Sequence, residues 1–459
     1  MISLLLFDII LLVAFTLATV VFVKTRKHNL KKEGFLYLYK TSLGIKFIDN
    51  VAKKYEKILK PLQYLIVFVG YILMVSMIWL MIKTIYIYLT NSEIVEQIKA
   101  PPVVPLLPYF PQLFGLEDFF PNFYFMHFII AIAIVAIVHE FSHGIFARLN
   151  NIKIHSTGFA FFGPILGAFV EQDEKQMNKA KKFPQLAILA AGVFANLVVC
   201  LIFMVLLIGF VSWAFVPQGV FFNSYATSVV NLSESHFEKL TDENKLIELT
   251  YKNQTYFTNT LSLKKSIEKD ISLIQVFDNS PAFKAKLSGA IVEIDGKKIK
   301  SSEDVSNAIR SHSPYEEIEI KTIDGNKEIQ EYKINLSERN GNAFLGIGFN
   351  PSAKKSLVLK FAYILFVGPE GENIYYESRL GEFGIFFRDL LWWIVMINFL
   401  VALFNMLPVG ILDGGRFFYL TIWGITGNKK IAEKTFAAST WLILLGVILL
   451  MIRWMISLF

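Results

Sequence analysis

Cysteine is almost missing from this sequence. Cys200 is the only one among 459 residues, so no disulfide can form within the chain. Its position inside an apolar run reads it as a small packing residue. Histidine is scarce too, at seven. The first apolar run lacks a basic segment before it and a small-residue cleavage site after it, which reads it as a retained helix. A water-soluble composition is also lacking. Hydrophobic residues make up 54% and the mean hydropathy is +0.49, too apolar for a soluble protein of this size.

What is present are long apolar runs. Stretches of about 20 such residues read as membrane spans. Six are predicted, over 2–23, 62–90, 123–149, 185–215, 386–411 and 436–459. The net charge of +7 would permit a nucleic-acid partner, but its distribution points to the bilayer instead. Residues 24–60 carry 11 Lys/Arg against three acids, whereas 91–122 carry only Lys99 against four acids. Residues 150–184 and 416–434 are again basic. This alternation fits the positive-inside rule. It puts those three basic segments in the cytoplasm, and both termini and 216–385 outside. The N-x-S/T acceptors Asn231, Asn253 and Asn335 all fall in that external segment. No nucleic-acid partner is expected.

The long segment changes character. Charge rises and strand-like alternation appears. "LIQVFDNSPAFKAKLSGAIVEIDGKKIKSSEDVSNAIRSH", Leu273 to His312, reads as strand, short helix, strand, turn, helix. Asp295-Gly296 is a tight-turn signal, and a hairpin is predicted to turn at Asp324-Gly325. The order resembles a PDZ domain of the circularly permuted type, with Gly289-Ala290 where that family has Gly-Asp. The resemblance implies capture of an extended peptide by strand addition, with Phe344–Phe349 closing the groove. The simpler reading is a small α+β domain that binds nothing. Residues 357–367 are apolar but too short to span.

The chemistry is in "AIAIVAIVHEFSHGIFARL". Ionisable groups at hydrocarbon depth are costly and mark function. His139 and His143, four apart on a helix, share one face and can reach one ion. Glu140 is offset by about 100 degrees and can sit beside a water there. Two His ligands with Glu as general base is the H-E-x-x-H arrangement of zinc hydrolases. Catalytic zinc needs a third protein ligand. Asp413 in "FNMLPVGILDGGRFF" is the candidate, at the end of an apolar run loosened by Pro408, Gly410, Gly414 and Gly415. The other reading of Asp413 is a cap on the following helix.

The two motifs together, H-E-x-x-H and N-x-x-P-x-x-x-x-D-G (Asn405, Pro408, Asp413, Gly414), resemble the site-2 protease family of intramembrane zinc metalloproteases. "AKKFPQLAILAAGVFANLVVC" is a softer match: Gly192 and Asn196 fit, and Val193 replaces the family's proline. Thr157–Glu171 resembles the family's re-entrant β-hairpin. The resemblance implies Zn2+ held by His139, His143 and Asp413, with Glu140 catalytic. It also implies that Asn405, Gly163 and Gly167 meet the substrate, a transmembrane segment of another protein. A helix–helix hydrogen bond is the alternative role for Asn405, and Asn196 is read as structural.

The expected fold is a polytopic α-helical membrane protein of six spans, with a membrane-associated β-hairpin and an inserted extracytoplasmic α+β PDZ-like domain. Its parts are N-terminal spans and loops (1–122), core with H-E-x-x-H and hairpin (123–215), an external connector (216–272) and the PDZ-like domain (273–349). An interfacial connector (350–385), core with N-x-x-P-x-x-x-x-D-G (386–420) and a last span (421–459) follow. The expected location is a prokaryotic cell membrane, with the site near the cytoplasmic side. Two other classes compete: a membrane-anchored peptide receptor without proteolytic activity, and a membrane-tethered zinc protease acting on loops.

Overall fold

Apolar runs with few charges become helices because a backbone in lipid must satisfy its own hydrogen bonds. Among the described residues of the computed structural model, six helices are long and apolar enough to cross a membrane: Leu4–Thr25, Glu56–Thr90, Phe125–Leu149, Lys182–Ala214, Gly381–Phe404 and Lys429–Ile456. The structure describes residues 4–26, 30–33, 36–90, 101–104, 106–117, 119–162, 165–237, 246–268, 271–325, 327–349, 357–366 and 373–457. The first and sixth helices leave large apolar side chains such as Phe7, Ile10, Trp441 and Leu442 exposed, a surface suited to lipid rather than water. The fifth helix ends at Phe404, seven residues before the predicted end, because the chain breaks around Pro408. The protein is therefore a multi-pass helical membrane protein that also carries β-sheets.

The chain divides into two compact units. One comprises Met1–Phe210, Leu365–Val367 and Phe386–Phe459; the other comprises Val211–Ile364 and Gly368–Ile385. The core of the first joins Ile66, Leu73 and Met77 of the second span to Phe146 and Ala147 of the third. Ile188, Ala190 and Val193 of the fourth and Met406 and Phe417 complete it. Small residues on the fourth span, Ala187, Ala190 and Ala191, are almost fully buried. They permit the close helix packing that replaces hydrophobic drive in a bilayer.

The expected hairpin forms, within a larger sheet. Four antiparallel strands, β1 (Leu30–Glu33), β2 (Leu36–Thr41), β3 (Ile154–Phe162) and β4 (Ile165–Gln172), lie in that order. β2 pairs with β3 from Tyr37 opposite Phe161 to Thr41 opposite Thr157. One side of the hairpin is thus covered, and β4 is left as an outer strand. The amphipathic helix Ile45–Lys54 places Ile48 in a small core with Ile154 and Val170, against Phe141 and Ile145 of the third span. Sheet and helix together brace the span that carries H-E-x-x-H.

The first span braces it as well. Asp8 is 1% exposed. It accepts the backbone N–H groups of Phe125 (2.6 Å) and Met126 (3.0 Å) and the Tyr109 hydroxyl (2.5 Å). The first N–H groups of a helix have no partner of their own, and here a carboxylate from another span supplies one. The helix dipole favours a negative charge at that end.

In the second unit, the segment expected to be a connector is folded. Thr227–Asn231, Leu273–Asp278, Gln254–Asn259, Leu246–Tyr251 and His236–Phe237 form a five-stranded antiparallel sheet in that order. Leu273–Asp278 therefore pairs with strands that precede it, and Ile274 and Val276 pack with Val230, Leu249 and Leu263. A separate core gathers Val220, Ala282, Leu287, Ile291, Ile309, Ile320 and Leu345. Its main sheet runs Ile329–Asn335, Glu317–Ile323, Ala290–Ile294, Phe215–Val220, Ile374–Ser378. Asp295 and Gly296 both have positive φ, 45° and 76°, as a tight hairpin turn requires. The helix Ser302–Arg310 starts in a capping box of Ser301 and Asp304. The N–H of Lys300, followed by contacts from Ser301, holds the Asp304 carboxyl below its usual pKa. Residues 357–366 form a ten-residue helix.

Candidate metal centre

The helical repeat puts His139 and His143 on one face of the third span, and their Nε2 atoms stand 3.0 Å apart. Asp413 Oδ2 lies 3.1 Å from His139 Nε2 and 3.2 Å from His143 Nε2. Three potential ligand atoms therefore form a near-equilateral triangle. Ligands bound tetrahedrally to zinc at 2.0–2.1 Å would stand about 3.3 Å apart, so the spacing suits that ion. Both histidines are 7% exposed. His143 Nδ1 lies 2.7 Å from the Ile188 carbonyl, which can only accept. That nitrogen carries the proton, and in the neutral ring Nε2 points a lone pair into the triangle.

The fifth span delivers Asp413 by breaking. After Phe404 the chain turns through residues 405–412, and the Gly414 N–H returns to the Asn405 carbonyl at 2.7 Å. The turn thereby satisfies part of its own backbone, as irregular backbone within a membrane protein must. A Cβ on Gly414 would collide with the Met406 and Leu407 carbonyls, so the Asp-Gly step needs its glycine. Asp413 begins the helix Asp413–Thr426, whose flanking Leu412 gives no side-chain cap. Its Oδ2 meets the histidines.

Glu140 faces another way. Its Oε2 accepts the Val170 N–H of β4 at 3.1 Å. Glu140, Val170, Glu171, Asn405, Asp413 and Arg416 are among the residues lining a cavity of about 500 Å3 that also reaches both histidines. Asn405 is half-buried. Gly163 lies outside the described residues. Gly167 is on β4 opposite Ala160, where a Cβ would make only ordinary contacts. Arg416 is held by the side-chain oxygens of Asn178 (2.8 Å) and Gln185 (3.2 Å).

The fourth span contributes more than its sequence signals. A Cβ at Gly192 would stand 2.6 Å from His143 Nε2 and 2.7 Å from His139 Cε1. Bare backbone is therefore what lets the two rings occupy this place. Asn196, one turn further on, puts Nδ2 3.1 Å from His139 Nδ1. Both positions carry part of the softer motif match, but nothing local tied them to the histidines.

Comparison with known proteins places the site in a family. An uncharacterized protein of Methanocaldococcus jannaschii is 28% identical over 410 residues, covering 88% of this chain and 83% of that protein. A Fusobacterium nucleatum protein named "putative zinc metalloprotease" is 26% identical over 197 residues, 37% of this chain and 58% of that protein. The family model described as peptidase family M50 matches residues 127–332 and 373–452. The match covers more than half the sequence and takes in both segments that meet at the triangle. The chain belongs to peptidase family M50, the site-2 protease family.

Proposed function

We propose that this protein is a zinc metalloprotease that hydrolyses peptide bonds within or near transmembrane segments of other membrane proteins, in regulated proteolysis or in clearance. The triangle of His139, His143 and Asp413 carries the reading. Two imidazole nitrogens and one carboxylate oxygen make a three-ligand set that leaves a fourth position open, the arrangement of catalytic zinc. Bound there, zinc would supply Lewis acidity, making water a nucleophile near neutral pH and polarising the scissile carbonyl. Glu140 takes the proton from that water and returns it to the leaving amine. Asn405, on the cavity wall, holds the substrate backbone or the developing oxyanion. Family membership supports a membrane metalloprotease. A peptide receptor merely anchored by its spans would leave the convergence of three ligand atoms, two of them on buried histidines, without a purpose.

A transmembrane helix hides its peptide bonds, so a substrate must unwind, and its freed backbone groups then need partners. The outer side of β4 offers a strand edge beside Glu140, and pairing along it would present the chain extended. Gly167, on β4, would allow close approach, and the family resemblance extends the same role to Gly163. Basic loops support a cytoplasmic-side site in a prokaryotic cell membrane, with the insert outside. Of the expected PDZ-like segment 273–349, Leu273–Asp278 pairs with the preceding sheet, and residues 280–349 serve there as a PDZ-like docking module or size filter. Their short helix Pro281–Lys284, turn at Asp295-Gly296 and helix Ser302–Arg310 support that part. Deleting 280–349 should change the relative cleavage of intact and outer-trimmed substrates. An unchanged ratio would remove the filter.

The decisive test joins metal to activity. Purified protein in detergent should contain about one zinc per chain by elemental analysis and cut a model transmembrane substrate. A chelator should abolish cleavage and zinc should restore it, while Asp413→Ala should hold zinc poorly. Wild-type protein without zinc or cleavage would leave the anchored receptor as the better reading.

A further inference from the structure

Ile188, Gly192 and Asn196 recur every four residues, on one face of the fourth span. Each meets the histidine pair differently. The Ile188 carbonyl takes the His143 Nδ1–H. Gly192 makes room for both rings. Asn196, 0% exposed, reaches His139 Nδ1 with its amide, and its other amide atom, Oδ1, has no hydrogen-bond partner among the described residues. With Nδ2 toward the ring, His139 Nδ1 must be a lone pair and the proton sits on Nε2. That proton points into the triangle and would block a metal. A half-turn of the amide exchanges oxygen and nitrogen without moving any neighbour. The state of His139 decides between the two orientations.

We infer that Asn196 is a positioning residue for the metal centre: its Oδ1 accepts the Nδ1–H of His139, fixing the tautomer in which Nε2 binds the ion. The inference rests on the zinc reading above. It makes the two histidines equivalent, each with Nδ1–H bound to an acceptor on the fourth span, Ile188 for one and Asn196 for the other. A partner on the far nitrogen is what orients a metal-binding imidazole and raises its basicity.

The test uses full-length protein loaded with Co2+ in place of zinc, followed by its visible spectrum while a chelator strips the metal. Asn196→Leu keeps the volume and removes the acceptor. It should release metal about 10–100-fold faster than wild type, with the elution and thermal unfolding of metal-free protein unchanged. Asn196→Asp can only accept, and should stay within about threefold of wild type if the amide accepts. Wild-type retention in Asn196→Leu, or equal loss in both variants, overturns the inference. A wild type that binds neither ion fails the zinc reading itself, a separate result. Should both variants misfold, 15N-histidine-labelled wild type decides, with the His139 signal identified by its loss in His139→Gln. In the metal-free protein, a neutral His139 ring with its proton on Nδ1 supports the assignment, and one with its proton on Nε2 refutes it.

Discussion

Glu140→Gln is expected to lose cleavage by a factor of about 10²–10⁴, the usual contribution of a positioned general base, while keeping its full metal content. The substitution preserves shape. A glutamine oxygen can still accept the Val170 N–H that Glu140 holds at 3.1 Å, and the His139–His143–Asp413 triangle is untouched. Only the capacity to take a proton disappears. Single-turnover cleavage and elemental analysis on the same preparation check it. Zinc lost together with activity would move Glu140 into the ligand set. Activity within a few-fold of wild type would end its role as base.

Gly192→Ala should do comparable damage through size alone. The added Cβ would stand 2.6 Å from His143 Nε2 and 2.8 Å from His139 Nδ1, so rings or helices must move. The rings cannot yield freely, because His143 is tied to Ile188 and both meet Asp413. Displacement of reacting groups by about 1 Å costs on the order of 10²-fold in rate, and metal affinity should fall by about 10–100-fold. Overpacking should cost about 1–3 kcal/mol of stability. Gly209→Ala is the control on the same helix, since a Cβ there meets nothing within 4 Å. If Gly192→Ala binds metal and cuts as Gly209→Ala does, the close approach at Gly192 has no functional weight.

The sequence reveals features whose cause is local. A run of apolar residues must become a helix in lipid, so the six spans were legible. The four-residue spacing of His139 and His143 fixes a shared face wherever the helix goes. Asp295-Gly296 and Asp324-Gly325 encode turns in their own backbone preferences. Features that depend on distant neighbours were not legible. "LYLYKT" at 36–41 alternates like a strand, but its basic surroundings read as a loop until β3 is beside it. Asp8 is one carboxylate in an apolar run, and its partners at Tyr109, Phe125 and Met126 lie more than a hundred residues away. Asp413 had two readings because its carboxylate direction is set by the turn at 405–412 rather than by its neighbours in sequence. Gly192 matched a motif, but only the packed helices say what its missing side chain makes room for.

The triangle joins residues 274 positions apart, and this has a consequence for the newborn chain. At about 5–20 residues per second of synthesis, Asp413 is made roughly 15–55 s after His139. Throughout that interval the proposed site has two of its three ligand residues. On the proposed reading, a growing chain could not cleave itself or the nascent membrane proteins beside it before Asp413 arrives. The delay is written into the order of the spans, and on that reading activity waits for the segment that carries Asp413.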